Sequence, residues 1–148
     1  MPYIRVWIHF VWSTKNREPY LSDELRPKII QHIRTNAREK GIFIDSLNGF
    51  TDHLHCLISL GSDQSMDKIM QLIKGESSFW INKNKLTNFK FAWQDEYFAA
   101  SVSEANIDGV RKYISNQEQH HCHRSFEDEF EDFLTRAGFQ KFKDGRKS

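Results

Sequence analysis

The sequence predicts an α+β fold: a ferredoxin-like (split βαβ) antiparallel sheet with helices on one face, plus a tyrosine-bearing helix and a terminal helix near the C-terminus. Two observations predict it. Segments with alternating apolar residues and segments with apolar residues at three- and four-residue spacings follow one another as strand, helix, strand, strand, helix, strand. The length of 148 residues suits one hydrophobic core and one domain spanning 1–148, with no repeat, linker or low-complexity tract.

Each element has its own signal. Tyr3 to Ser13 alternates, with Ile4, Val6, Ile8, Phe10 and Trp12 on one side and Arg5, Trp7 and His9 on the other, which is a strand. Ser22 then opens a helix whose apolar stripe is Leu25, Ile29, Ile30, Ile33 and Ala37 and whose end is Gly41. The stretches IFIDSLNGF and DHLHCLISL read as two strands joined at Asn48-Gly49, a hairpin turn signal. A second helix runs from Ser65 to about Asn82 with Met66, Ile69, Met70, Ile73, Phe79 and Trp80 on one stripe. EYFAASVS is the fourth strand, and Ser103 caps a helix over about 104–121 that holds Ile107, Val110 and Ile114. FEDEFEDFLTRAGF is a terminal amphipathic helix over about 125–138, and the tail after Gly138 is frayed. Helices on one face of such a sheet leave the other face to carry a site.

Composition narrows the function classes. With 39% apolar residues, four Trp and twelve Phe, the chain is globular rather than disordered. No apolar run reaches the ~20 residues of a membrane helix, and the N-terminal stretch lacks the pattern of a signal peptide. Two cysteines, Cys56 and Cys122, make a disulfide scaffold unexpected and a reducing cytoplasm the expected compartment. The net charge of +1 hides an asymmetry, because Glu127, Asp128, Glu129, Glu131 and Asp132 cluster in one segment and leave the remainder mildly basic. A polyanionic partner fits that remainder.

The chemistry concentrates in two places. In TDHLHCLISL, His53 and His55 project from the same face of a strand while Leu54, Cys56 and Ile58 project from the other. Two converging imidazoles are donors for a divalent ion, and Asp52 is placed to orient one of them. In GVRKYISNQEQHH, Tyr113 and Gln117 lie four apart on one helix face, with His120 and His121 a turn further on. A phenol of pKa ~10 is a weak nucleophile unless a cation or base assists it, and a carboxamide oxygen is a neutral hard ligand suited to Mg²⁺ or Mn²⁺. The two histidines therefore read as holding a metal against a phosphate beside Tyr113. Tyr3, Tyr20 and Tyr97 read instead as anchors between helix and sheet.

DHLHCLIS, followed roughly sixty residues later by VRKYISNQEQHH, resembles the single-tyrosine HUH transposases of the IS200-like family, which move insertion sequences as single-stranded DNA. The opening YIRVWIHFVWSTKNREP, the strand WQDEYFAASVS and FEDEFEDFLTRAGF resemble the same family. The resemblance implies a ferredoxin-like fold and a homodimer. It implies Mg²⁺- or Mn²⁺-dependent cleavage and rejoining of single-stranded DNA, bound as hairpins at element ends, through a 5′-phosphotyrosine. Carried over by position, His53, His55 and Gln117 are metal ligands and Tyr113 is the nucleophile. Lys15, Arg17, Arg111 and Lys112 are the expected phosphate contacts, the last two because they adjoin Tyr113. A domesticated relative acting on repeats in a host genome fits the same residues.

Two other readings stay open on the residues. His53, His55, Cys56, His120, His121, Cys122 and His123 are donors for zinc, although strand alternation turns Cys56 away from both strand histidines. A non-catalytic RRM-like binder shares the topology, but the chain has no KGFGFV-type run.

Overall fold

A computed structural model describes residues 2–117 and Asp128. Its element order is β1 (Trp7–Ser13), α1 (Leu25–Glu39), β2 (Phe43–Gly49), β3 (His53–Ser59), α2 (Met66–Lys83), β4 (Phe98–Val102) and α3 (Ile107–Ser115), with short 3₁₀ turns at Lys15–Arg17 and Glu104–Asn106. The sheet order is β2-β3-β1-β4 with antiparallel neighbours throughout, the split βαβ arrangement read from the sequence. β3 and β1, which carry the histidines, are the two interior strands.

One face of the sheet makes the main core. Ile8, Phe10 and Trp12 of β1 and Leu54, Cys56 and Ile58 of β3 meet Ile29, Ile33 and Ala37 of α1 and Ile69, Met70, Ile73 and Ile81 of α2. The helix signals act as read: the Ser22 hydroxyl accepts from Leu25 N at 3.1 Å, Ser65 accepts from Lys68 N, and Gly41 takes φ +74° after α1. Met66 and Phe79, expected on the buried stripe of α2, are 42% and 62% exposed. Successive residues of a helix turn by about 100°, so Phe79 sits well away from the line through Ile69, Ile73 and Ser77.

Several other expectations are corrected. β1 starts at Trp7, not Tyr3: its ladders open with Trp7 paired to Ser59 and to Val102, and before it Val6 contributes its carbonyl, which accepts from Leu60 N at 2.7 Å. Tyr3 is fully exposed and anchors nothing, whereas Tyr20 packs on Phe89 and Tyr97 packs on Phe10 and donates to Asp67 of α2. Asn48 and Gly49 lie inside β2, opposite His55 and Leu54, and the turn is made by Thr51 and Asp52, with Phe50 N donating to His53 O at 3.0 Å. Gly49 has no positive φ; it is there because a Cβ would stand 2.1 Å from His53 O. The helix expected over 104–121 opens as the 3₁₀ turn and is α-helical over Ile107–Ser115, with Asn116 in a turn and Gln117 helical again, and its expected end over 118–121 lies outside the described residues. Ser103 makes no side-chain cap, and the Ser115 hydroxyl bonds back to Lys112 O.

The second face of the sheet is covered by α3. Trp7 and Leu57 pack against Ile107 and Ile114, with Val102, Val110 and Tyr113 at the margin. This burial explains why every residue of β1 is buried although the strand alternates. It also removes the open sheet face on which an RRM-like binder stacks bases. Among the described residues, no helix is long and apolar enough to cross a membrane.

Candidate active site

The site lies on the second face, where the β1–β3 register and α3 bring distant residues together. Ser13 pairs with His53 and Val11 with His55, so the two imidazoles share a face with Trp7, His9, Val11 and Leu57. His53 is fully buried, and His55 and His9 are 1% and 5% exposed. Buried imidazoles need partners. His53 Nδ1–H donates to Asp52 Oδ1 at 2.8 Å, the orienting role expected of Asp52, and His55 Nδ1 stands 2.9 Å from His9 Nε2.

α3 supplies the remaining groups. Its end is tied to the sheet by Asn48 Nδ2, which donates to Ile114 O at 3.1 Å and Ser115 O at 3.3 Å. Gln117, fully buried, donates through Nε2 to Tyr113 O at 3.3 Å and presents Oε1 to His53 Nε2 at 3.1 Å. The Tyr113 ring meets His55 edge-on, with centroids 5.4 Å apart, and meets His9 at 6.3 Å. Within one chain, then, His53, His55, Tyr113 and Gln117 come together as the sequence led us to expect.

The donor chemistry suits a hard divalent ion. With its Nδ1 proton directed at Asp52, His53 turns an Nε2 lone pair toward the Gln117 carboxamide oxygen, and two lone pairs at that distance call for a proton or a cation between them. Among the described residues, no three His, Cys, Asp or Glu side chains are grouped to hold a metal, and the Gln117 carboxamide is the oxygen donor that stands beside His53. Cys56 lies on the opposite, core face, where burial pushes its thiol well above the usual range. It shares no metal with His53 and His55. His120, His121, Cys122 and His123 lie outside the described residues, as do the terminal helix apart from Asp128, which is helical, and the tail.

The expected DNA contacts divide into two groups. Lys15 and Arg17 are exposed on the turn that follows β1, next to the His53 end of the site, where Thr14 N donates to Asp52 O at 2.9 Å. Asn16 and Arg17 in this turn have φ of 57° and 56°, an uncommon conformation for side-chain-bearing residues, held by Asn16 N donating to Gln94 Oε1 and Lys15 N to Ala92 O. Lys112 is exposed on α3. The Arg111 guanidinium forks onto Asp45 with two 2.9 Å bonds and also reaches Asp108, so any phosphate contact it makes competes with two carboxylates. Burial pushes the Asp45 carboxyl up, but hydrogen bonds from Arg111 and Ser46 and the charges of Arg111 and Arg34 outweigh it and hold the group below its ordinary value.

His9 is the site residue that the sequence reading left out. Its alternation placed it on the side away from Ile8 and Phe10, which is correct. Nothing in the spacing of residue 9 and residue 55 announces that β1 and β3 are neighbours.

A ferredoxin-like sheet with a paired-histidine interior strand carries a tyrosine helix across that face, an α+β arrangement like that of the solved structures named below. The chain belongs to the IS200-like transposase family, whose described pattern, Transposase IS200 like, matches residues 3–117. It is similar to the ISDra2 transposase TnpA of Deinococcus radiodurans, 26% identical over 115 residues, covering 74% of this chain and 81% of that protein. Among solved structures it resembles a putative transposase from Deinococcus radiodurans R1, with TM-score 0.64 and 22% identity over 78% of this chain and 93% of the other. It also resembles a REP-associated tyrosine transposase bound to a REP hairpin, with TM-score 0.62 and 18% identity over 82% of this chain and 72% of the other.

Proposed function

We propose that this transposase cleaves and rejoins single-stranded DNA through a covalent bond to Tyr113, with a Mg²⁺ or Mn²⁺ ion held by His53, His55 and Gln117. The observation that carries the reading is the convergence, in one chain, of two buried imidazoles, a buried carboxamide and the ring of Tyr113. When bound, a divalent ion there supplies charge stabilisation to phosphate oxygens.

The chain's own groups do the rest. The Tyr113 oxygen attacks phosphorus, the bond from phosphorus to the 3′ oxygen breaks, the 3′-OH departs with a proton, and the phosphate stays on Tyr113 as a 5′-phosphotyrosine. Attack by a new 3′-OH reforms a phosphodiester and returns the tyrosine O–H, so no external energy source is needed. Asp52 fixes the His53 ring through its Nδ1 proton. Lys15, Arg17 and Lys112, and Arg111 where it leaves its carboxylates, contact phosphates flanking the cut.

The substrate is DNA hairpins at element ends and the working unit is a homodimer in the cytoplasm. The fold neighbour bound to a REP hairpin supports the first of these, and the family resemblance supports the second. A purified sample incubated with Mn²⁺ and a single-stranded hairpin drawn from the repeats flanking its gene yields a denaturant-stable protein–DNA adduct. Tyr113→Phe abolishes the adduct and keeps hairpin affinity within about twofold, because only one oxygen is lost. An adduct on the Phe variant overturns the assignment.

A further inference from the structure

We infer that His9 is the positioning residue for His55: it accepts the His55 Nδ1 proton and thereby turns the Nε2 lone pair of His55 into the site. The inference rests on the reading of His55 as a metal ligand and adds a residue to it.

The geometry is specific. His9 pairs with Leu57 across the β1–β3 ladder, so His55 is its diagonal neighbour on the same face, a relation within reach of two aromatic rings. The ring centroids are 5.1 Å apart, and the nitrogen contact is 2.9 Å. Both strands are interior, so neither backbone can slide without breaking two ladders.

Burial sharpens the point. His9 is 5% exposed in a position flanked by Trp7 and Leu57, where an aliphatic side chain would pack without any hydrogen-bonding demand. Nor does His9 serve the main core, which lies on the opposite face with Ile8 and Phe10. Its ring instead touches both His55 and Tyr113.

The arrangement repeats what Asp52 does for His53. Each strand histidine has its Nδ1 matched to an acceptor, Asp52 Oδ1 in one case and His9 Nε2 in the other. A proton fixed on Nδ1 selects one tautomer and leaves Nε2 as the ligating atom. For His9 to accept, its own proton sits on Nδ1.

The test uses the full chain and two readouts, only one of which involves metal. In ¹⁵N NMR of the metal-free protein, His55 is expected as the Nδ1–H tautomer; finding its proton on Nε2 overturns the proposal without any variant. In a Mn²⁺ titration followed by EPR of free Mn²⁺, His9→Phe is expected to weaken binding by about 10–100-fold and to mix the His55 tautomers. His9→Gln, whose carboxamide oxygen can accept the same proton, is expected to restore affinity to within about threefold. A folded His9→Phe variant with wild-type affinity and a single His55 tautomer refutes the role. Absence of Mn²⁺ binding in the wild type rejects the metal reading instead, and the NMR result still decides His9.

Discussion

Gly49→Ala probes the junction between fold and site. A Cβ at this position would stand 2.1 Å from His53 O, 2.7 Å from Leu54 Cδ2 and 2.9 Å from Leu54 Cα, against a working minimum of 3.0 Å. The nearest atom is a backbone oxygen, so β2 and β3 must separate by close to 1 Å for the methyl group to fit. The carbonyl in the way is the one that accepts from Phe50 N and closes the Thr51–Asp52 turn. Overpacking of this kind costs about 1–3 kcal/mol and a lost hydrogen bond about 1 more. A total of about 3 kcal/mol corresponds to a Tm lower by roughly 6–12 °C for a chain of this size. Because the displaced backbone belongs to His53, adduct formation with hairpin DNA should fall even well below the variant's Tm. Gly41→Ala is the matched control. Its φ is +74° with nothing within 4 Å of the added carbon, so its cost is conformational, about 1 kcal/mol, and the site is untouched. Circular dichroism melts and the adduct assay on both variants decide the matter. A Gly49→Ala protein that melts within about 2 °C of wild type refutes the close approach and the strand register behind it.

Two further outcomes follow from electrostatics. The Asp45 carboxyl titrates below its ordinary value, so its contribution to stability is present above the unfolded pKa of about 3.9 and is lost as pH falls through the folded value. Arg111→Ala should therefore lower the Tm at pH 7 by more than at pH 3, and an equal gap at both pH values refutes the pairing as a stabiliser of α3 on β2. Lys74, whose pKa is lowered by burial, donates through Nζ to the carbonyls of Gln94, Asp95 and Glu96 at 2.6, 2.9 and 3.2 Å. Lys74→Met should speed amide hydrogen exchange across residues 94–97 while leaving α1 unchanged; unaltered exchange there shows that the lysine does not organise the loop.

Local signals carried the elements well because each depends on neighbours within a few residues. The α1 stripe from Leu25 to Ala37, the Ser65 cap and the Gly41 stop need nothing beyond their own turn of helix. The errors fall where a partner decides. β1 begins where its register with β3 and β4 begins, and Asn48-Gly49 is pulled into β2 because β3 extends to meet it. The site divides in the same way. His53 and His55 were visible through strand periodicity and Asp52 through adjacency, while Tyr113 and Gln117 were visible through helical spacing and stay together across the turn at Asn116. His9 was not visible, since its relation to His55 exists only in the register between two strands 46 residues apart.

The energetics of this face argue that the imidazoles serve a task other than folding. His9, His53, His55 and Gln117 are all at most 5% exposed, and each would cost about 1–3 kcal/mol if its polar atoms were left unmatched. The network matches them, but only through contacts that depend on one another: Asp52 to His53, His53 to Gln117, Gln117 to the backbone of Tyr113, and His9 to His55. Removing one member exposes the next, whereas apolar side chains at the same places would tolerate substitution singly. Trp7 and Leu57 show that the same two strands and α3 can bury an ordinary apolar cluster beside the site. Stability alone would extend that cluster along the face. A chain that instead keeps four interdependent, mutually hydrogen-bonded polar groups there, with a phenol ring edge-on to His55, holds that face to one geometry rather than to the most tolerant packing.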